Sequence, residues 1–180
     1  MYGIINRAIE DMVTASHGEN AWMQIKAASG VQVDYFLSNE PYDDEMTYKL
    51  VAASSEVLQI PMSEVLSAFG EWWVLKTGRE KYGGLMEAGG KNLQEFLLNL
   101  PMFHSRIMLF YPRLNPPEFR IGTITENSIE VHYHSTRKGL HHFVLGLLQG
   151  LAKMYHTPVT IQVLSMQSEP ETHEVFQVNW

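Results

Sequence analysis

The chain has 180 residues, with 13 Lys and Arg against 20 Asp and Glu, a formal net charge of −7. That balance speaks against a general phosphate-binding surface and so against a nucleic-acid partner. The absence of cysteine removes disulfides, thiolate ligands, iron–sulfur clusters and cysteine nucleophiles together.

Apolar residues make up 45% and charged residues 18%, the composition of a globular unit, and one domain over residues 1–180 is expected. No uninterrupted apolar run is long enough to span a bilayer, so no membrane association is expected. The first residues mix acids and an arginine into an amphipathic pattern with no cleavage-site texture, which makes the cytoplasm the default compartment.

In chain order, residues 1–15 place Ile4, Ile5, Ala8, Ile9, Met12 and Val13 three and four apart, which predicts a helix. A second helix is expected over 19–29, stopped by Gly30. Residues 31–35 are ambiguous. Helices follow over 43–58 and from Pro61 to near Gly78, the latter containing Val65, Leu66, Phe69, Trp72 and Trp73. Residues 81–91, with two Gly-Gly pairs, read as loop around a short helical turn. Pro101 interrupts the stripe Leu93, Phe96, Leu97, Leu100, so two helices, about 91–98 and 101–110, are predicted. Prolines 112, 116 and 117 then mark an extended connection. Residues 119–125 and 128–136 alternate around Glu126-Asn127 as a hairpin, 139–155 is a helix, and 158–166 and 172–180 are strands. The class is α+β: a helical N-terminal part packed on a C-terminal part with a small four-stranded antiparallel sheet and a helix.

Few residues stand out chemically. His104 lies in an apolar helix, where a core histidine bonded to a backbone carbonyl is the commoner outcome. On the second hairpin strand Tyr133, Ser135 and Arg137 alternate and share a face. Two hydroxyls and a guanidinium in a row suit an anionic ligand with several oxygens, although a solvated strand face would read similarly. His132 and His134 share the opposite face. Histidines two apart on a strand can chelate zinc, but spacing supplies no third ligand, and the adjacent His141 and His142 point apart on their helix. A serine hydrolase lacks support, because no G-x-S-x-G turn exists and Ser135 sits within a strand.

Taken together, His104 in NLPMFHSR, Pro117 in LNPPEFR thirteen positions later, and Tyr133-x-Ser135-x-Arg137 resemble the haem-nitric-oxide/oxygen-binding (H-NOX) family. This is the sensor domain of soluble guanylate cyclase, and the likeness, strongest to the cyanobacterial members, runs from MYGIINRAIEDM through AFGEWW to beyond LGLLQGL. The resemblance implies haem b (iron protoporphyrin IX) between the two parts of the fold, with His104 as axial ligand of the iron. It implies that Tyr133, Ser135 and Arg137 hold the propionates, that Pro117 and Ile5 press on the porphyrin, and that Trp73 and Phe143 form the distal pocket. Oxygen-binding members carry tyrosine where this chain has Phe143.

With no donor at Phe143, the expected ligands are NO and CO. The expected output is movement of the proximal helix, because NO bound opposite a histidine weakens the iron–histidine bond. The signal would pass to a separate protein such as a histidine kinase or a cyclic-nucleotide enzyme. Two rival functions follow from the same residues. An O₂ sensor or carrier would need Trp73 to donate. A peroxidase-like haem enzyme would need a distal acid–base pair, and none is identifiable, so the chain is expected not to be an enzyme.

Overall fold

A computed structural model describes residues 1–111, 115–167 and 172–180. Four α-helices lead the chain: α1 (Gly3–His17), α2 (Glu19–Ser29), α3 (Asp44–Leu58) and α4 (Met62–Trp72). Each buries the stripe its sequence predicts, and together they enclose a core built on Ile9, Ile25, Phe36, Leu50, Val65 and Phe69. Gly30 ends α2 with φ of 66°, a left-handed conformation that suits glycine. Residues 31–35 form no strand.

α4 does not simply stop. It widens into a π-helical turn, Trp73–Gly78, and continues as α5 (Arg79–Glu87). Such turns in the middle of a helix often mark functional positions. The helix therefore persists through Gly83-Gly84, where loop was expected. Two glycines cost roughly 2 kcal/mol of helix propensity. Burial of Met86 in the core and inward placement of Tyr82, whose φ of −131° breaks the regular helix, offset that cost.

The second departure is α6, which runs unbroken from Leu93 to Ile107 with Pro101 inside it. Proline in a helix interior costs about 3 kcal/mol through the lost N–H and a clash with the preceding turn. The apolar stripe Leu93, Phe96, Leu97, Leu100 and Ile107 continues past the proline and is buried along its length. Each buried side chain contributes roughly 1.5–3 kcal/mol, so one continuous rod is favoured over two helices.

The C-terminal part contains β1 (Glu118–Ile124), β2 (Ser128–Ser135), α7 (His141–Met154), β3 (Thr160–Gln167) and β4 (Thr172–Asn179). The four strands form one antiparallel sheet in the order β1-β2-β4-β3. Its inner face, with Phe119, Ile129, Val131, Tyr133, Phe176 and Val178, packs with α6 and α7 into a second core. α4 and α7 join the two cores by close backbone approach. A Cβ on Gly70 would fall 2.2 Å from the Phe143 carbonyl oxygen, and one on Gly146 would fall 2.0 Å from that of Ser67. This contact fixes Phe143 and Trp73 relative to each other. Among the described residues no helix is long and apolar enough to cross a membrane.

Candidate functional site

Between the two cores lies a cavity of about 1370 Å³, counting its open mouth. Its walls come from the start of α1, the π-helical turn, α5, α6, α7 and the inner face of the sheet. Of the residues singled out in sequence, Ile5, Trp73, His104, Pro117, Tyr133, Arg137 and Phe143 all line it. Apart from the polar groups described next, the lining is almost wholly apolar, which suits a large flat hydrophobic molecule.

His104 projects from the last turns of α6. Its ring lies nearly parallel to that of Phe119, with centroids 5.3 Å apart and 14° between planes. Phe103 meets it edge-on. The residue as a whole is half-buried because it borders the cavity, while its Nδ1 is fully enclosed and has no hydrogen-bond partner among the described residues. Burial among these rings depresses the imidazole from its usual 6.5 to about 4. The ring is therefore neutral at pH 7, the form that offers a lone pair to a metal ion. The carbonyl partner that a core histidine would normally find is missing, and an enclosed nitrogen left bare is destabilising by roughly 1–3 kcal/mol.

Arg137 lies just past β2, at the wall of the cavity. The residue is on the turn that follows the strand, so the row expected from alternation ends at Ser135. Its Nε donates to Asp44 Oδ2 at 2.6 Å and its Nη1 to the carbonyl of Asn115 at 2.6 Å. Asp44, the first residue of α3, also accepts from the amino group of Met1. Partial burial pushes its carboxyl up, but the bonds from the amino terminus and from Arg137 prevail and hold it below the ordinary range. Asp44 thus pairs the Arg137 guanidinium with a carboxylate from the start of α3.

Tyr133 is buried, which raises its phenol, with a hydrogen bond from Ser135 acting in the opposite direction. Ser135 is buried beside it but does not line the cavity. Its Oγ accepts from the backbone N–H of Arg137 at 3.0 Å, so it shapes the turn that carries the guanidinium. Behind Tyr133, the buried Glu174 on β4 stands 3.4 Å from His141 Nδ1. That pair was not visible in sequence, since it needs the β2–β4 register.

On the other side of the cavity, Phe143 packs on Phe69 with centroids 5.0 Å apart, and Trp73 meets Phe69 edge-on at 6.3 Å. Sequence reasoning missed Tyr82 and Tyr111. Both line the cavity, and the Tyr82 hydroxyl donates to that of Tyr111 at 2.7 Å. The glycine-rich surroundings of Tyr82 concealed the helix that delivers it.

The family model described as haem-NO-binding matches residues 2–163. The chain is 25% identical over 170 residues to soluble guanylate cyclase gcy-31 of Caenorhabditis elegans, which covers 94% of this chain but 24% of that protein. It therefore spans about a quarter of that relative's length. The H-NOX protein of S. oneidensis in its Fe(II) state superposes with a TM-score of 0.88 at 20% identity, over 99% of this chain and 95% of that one. An oxygen-binding H-NOX domain related to soluble guanylate cyclases gives 0.84 at 19% identity, over 99% and 94%. The fold is that of a haem-based gas-sensing domain, and the chain belongs to the haem-NO-binding (H-NOX) family. Fold alone does not select the gas, since an oxygen-binding member shares it.

Proposed function

We propose that this chain is a sensor of NO, and of CO, that holds haem b in the cavity and signals to a separate protein. The observation that carries this reading is the neutral imidazole of His104 on the wall of an apolar cavity, its enclosed Nδ1 without a partner among the described residues. The residues present fit the group. A flat apolar disc needs apolar walls, its carboxylates need a cation, and its metal needs a nitrogen lone pair. Tyr133 and Arg137 would hold the propionates, Arg137 by exchanging the Asp44 carboxylate for another, and Ser135, which does not line the cavity, would act by shaping the turn that carries Arg137. Pro117 and Ile5, which line the cavity, would pack against the porphyrin, and Trp73 and Phe143 would wall the pocket for the gas.

When bound, haem supplies a ferrous iron that takes a diatomic gas. The protein's part is to choose the gas and to convert its arrival into motion. Phe143 offers no hydrogen bond, which disfavours the polar O₂ unit and leaves NO and CO little affected. His104 is the mechanical link. It sits on α6, so any change in the hold on its ring changes the force on that helix. A ligand shifts a conformational equilibrium only through such a difference in interaction. Beyond α6, Met108, Leu109 and Phe110 are exposed apolar side chains on the route such motion would take. The output partner is a signalling protein such as a histidine kinase or a cyclic-nucleotide enzyme, and the chain itself is not catalytic. We place it in the cytoplasm, as one domain over residues 1–180.

Absorption spectra of purified ferrous protein without oxygen, before and after NO, test the reading. A haem spectrum with a histidine ligand that changes on NO and on CO is expected. Protein that takes up no haem, or an unchanged spectrum in His104→Gly, would overturn it.

A further inference from the structure

The face of the sheet turned away from the cavity carries a second cluster. His132 and His134 alternate with Tyr133 and Ser135 on β2 and so project from the opposite face. β4 pairs antiparallel with β2 and sets His173 directly across from His134. One ring nitrogen from each of the three histidines lies within 4.8 Å of the others. His132 Nδ1 and His173 Nε2 are 3.1 Å apart, and the rings of His134 and His173 stack with centroids 4.1 Å apart and 9° between planes. All three are half-buried.

We propose that His132, His134 and His173 form a binding site for a borderline divalent cation, zinc above all. Tetrahedral zinc holds imidazole nitrogens at about 2.0–2.1 Å, which sets two such nitrogens roughly 3.3 Å apart. The His132–His173 pair already stands near that spacing. Imidazole lone pairs lie in the ring plane, so the His134 ring, here stacked on His173, turns out of the stack to bring its nitrogen to the same ion.

The surroundings fit the same assignment. His132 turns Nδ1 toward His173, and its other nitrogen, Nε2, lies 4.0 Å from Glu130 Oε2. At that separation the contact is one of charge and not a hydrogen bond, and the same Glu130 oxygen accepts from the backbone N–H of Thr123 at 3.0 Å. Gly122 on β1 leaves room for this pair, because a Cβ there would stand 2.5 Å from His132 Nε2 and 2.8 Å from Glu130 Oε2. Arg120, in register with His132, is the adjacent cation. Glu118 holds it by two hydrogen bonds of 2.6 and 2.9 Å, which neutralises its charge beside the site. Three protein ligands leave a fourth position for water. An ion there staples β2 to β4, on the strand whose inner face carries Tyr133 and Ser135.

The test is calorimetric titration of the purified full chain with zinc chloride, together with X-ray absorption at the zinc edge. One zinc per chain is expected, with histidine nitrogens as its protein ligands. His134→Gln and His173→Gln should each weaken binding by more than about tenfold, and Glu130→Gln by about tenfold. His17→Gln, at the exposed C-terminal end of α1, should leave it unchanged. Circular dichroism confirms that the variants fold. Should a variant misfold, the ligand count at the wild-type zinc decides. Fewer than three imidazoles there, or equal zinc affinity in wild type and His173→Gln, overturns the proposal.

Discussion

The two polar stations of the cavity handle polarity in opposite ways. On α6, His104 has an enclosed nitrogen with no partner. At the sheet, the Arg137 guanidinium is bonded to Asp44 and to the Asn115 carbonyl, and its turn is braced by Ser135. The first station holds an unmet bonding capacity inside an apolar wall. The second holds a strong cation whose capacity is met by a surrogate from α3. On the proposed reading a ligand would meet the part of the His104 ring that borders the cavity, and at Arg137 one carboxylate would replace another. On that reading, a molecule with a metal at its centre and anions at its edge would use both.

Breaking the first station should have the largest effect. His104→Gly is expected to lose the protein–iron bond entirely, and added imidazole should restore a nitrogen-ligated spectrum in the vacated space. Ferrous absorption spectra with and without imidazole check this.

Next in size is the dependence of stability on pH in the cofactor-free chain. The His104 imidazole has a pKa of about 4 in the fold and an ordinary value of 6.5. Between those two values the unfolded chain binds a proton that the folded chain does not, so stability falls as pH drops through this window. Above 6.5 both forms are neutral, and the full stability is present. The loss across the window comes to roughly 3 kcal/mol. Urea unfolding at pH 7 and pH 4.5 should show most of it, and His104→Leu should flatten the slope. An equal slope in that variant would place the titrating group elsewhere.

Much of this contrast was legible in the sequence, and the gaps have physical causes. The stripes of α1 to α4 and the alternation of β2 are local periodicities, and local periodicity survives folding. His104 and the Tyr133 to Arg137 row stood out only weakly within their own elements, and the resemblance to the H-NOX family joined them with Pro117 into one site; of these residues, all but Ser135 line the cavity. Pro101 misled, since local propensity takes no account of the buried stripe that overrides it. The glycines at 83 and 84 misled in the same way and concealed Tyr82. Asp44 could not be matched to Arg137, nor His173 to His132 and His134. Those pairings join residues far apart in sequence, and only the packing of α3 and the β2–β4 register create them.

Arg137 offers a sharper cut through the comparison. A charge-assisted hydrogen bond contributes roughly 1.5–3 kcal/mol, so Arg137→Ala should speed haem loss by about ten- to hundredfold. Arg137→Lys keeps the charge without the fork and should fall between that variant and wild type. Asp44→Ala removes the surrogate instead, and haem loss should then be no faster than in wild type. Transfer of haem to an acceptor protein gives the rates. Faster loss in Asp44→Ala would mean that Asp44 supports the grip, not that it competes for it.

The smallest effect concerns the wall that has no polar station. Phe143 and Trp73 both rest on Phe69, and Gly70 and Gly146 hold the helices that carry them. Ferrous protein in air should therefore form no stable O₂ complex while it binds NO and CO. The Fe–O₂ unit is a polar acceptor, and an acceptor enclosed without a donor forfeits roughly 1–3 kcal/mol, or one to two powers of ten in affinity. NO and CO need that donor far less, so the same wall costs them little. Phe143→Tyr places a hydroxyl on this wall and should raise O₂ affinity by about that factor. The wild type is the decisive case: a stable oxy spectrum in air would show that another group, Trp73 first, supplies the donor, and selectivity for NO would then have to be abandoned.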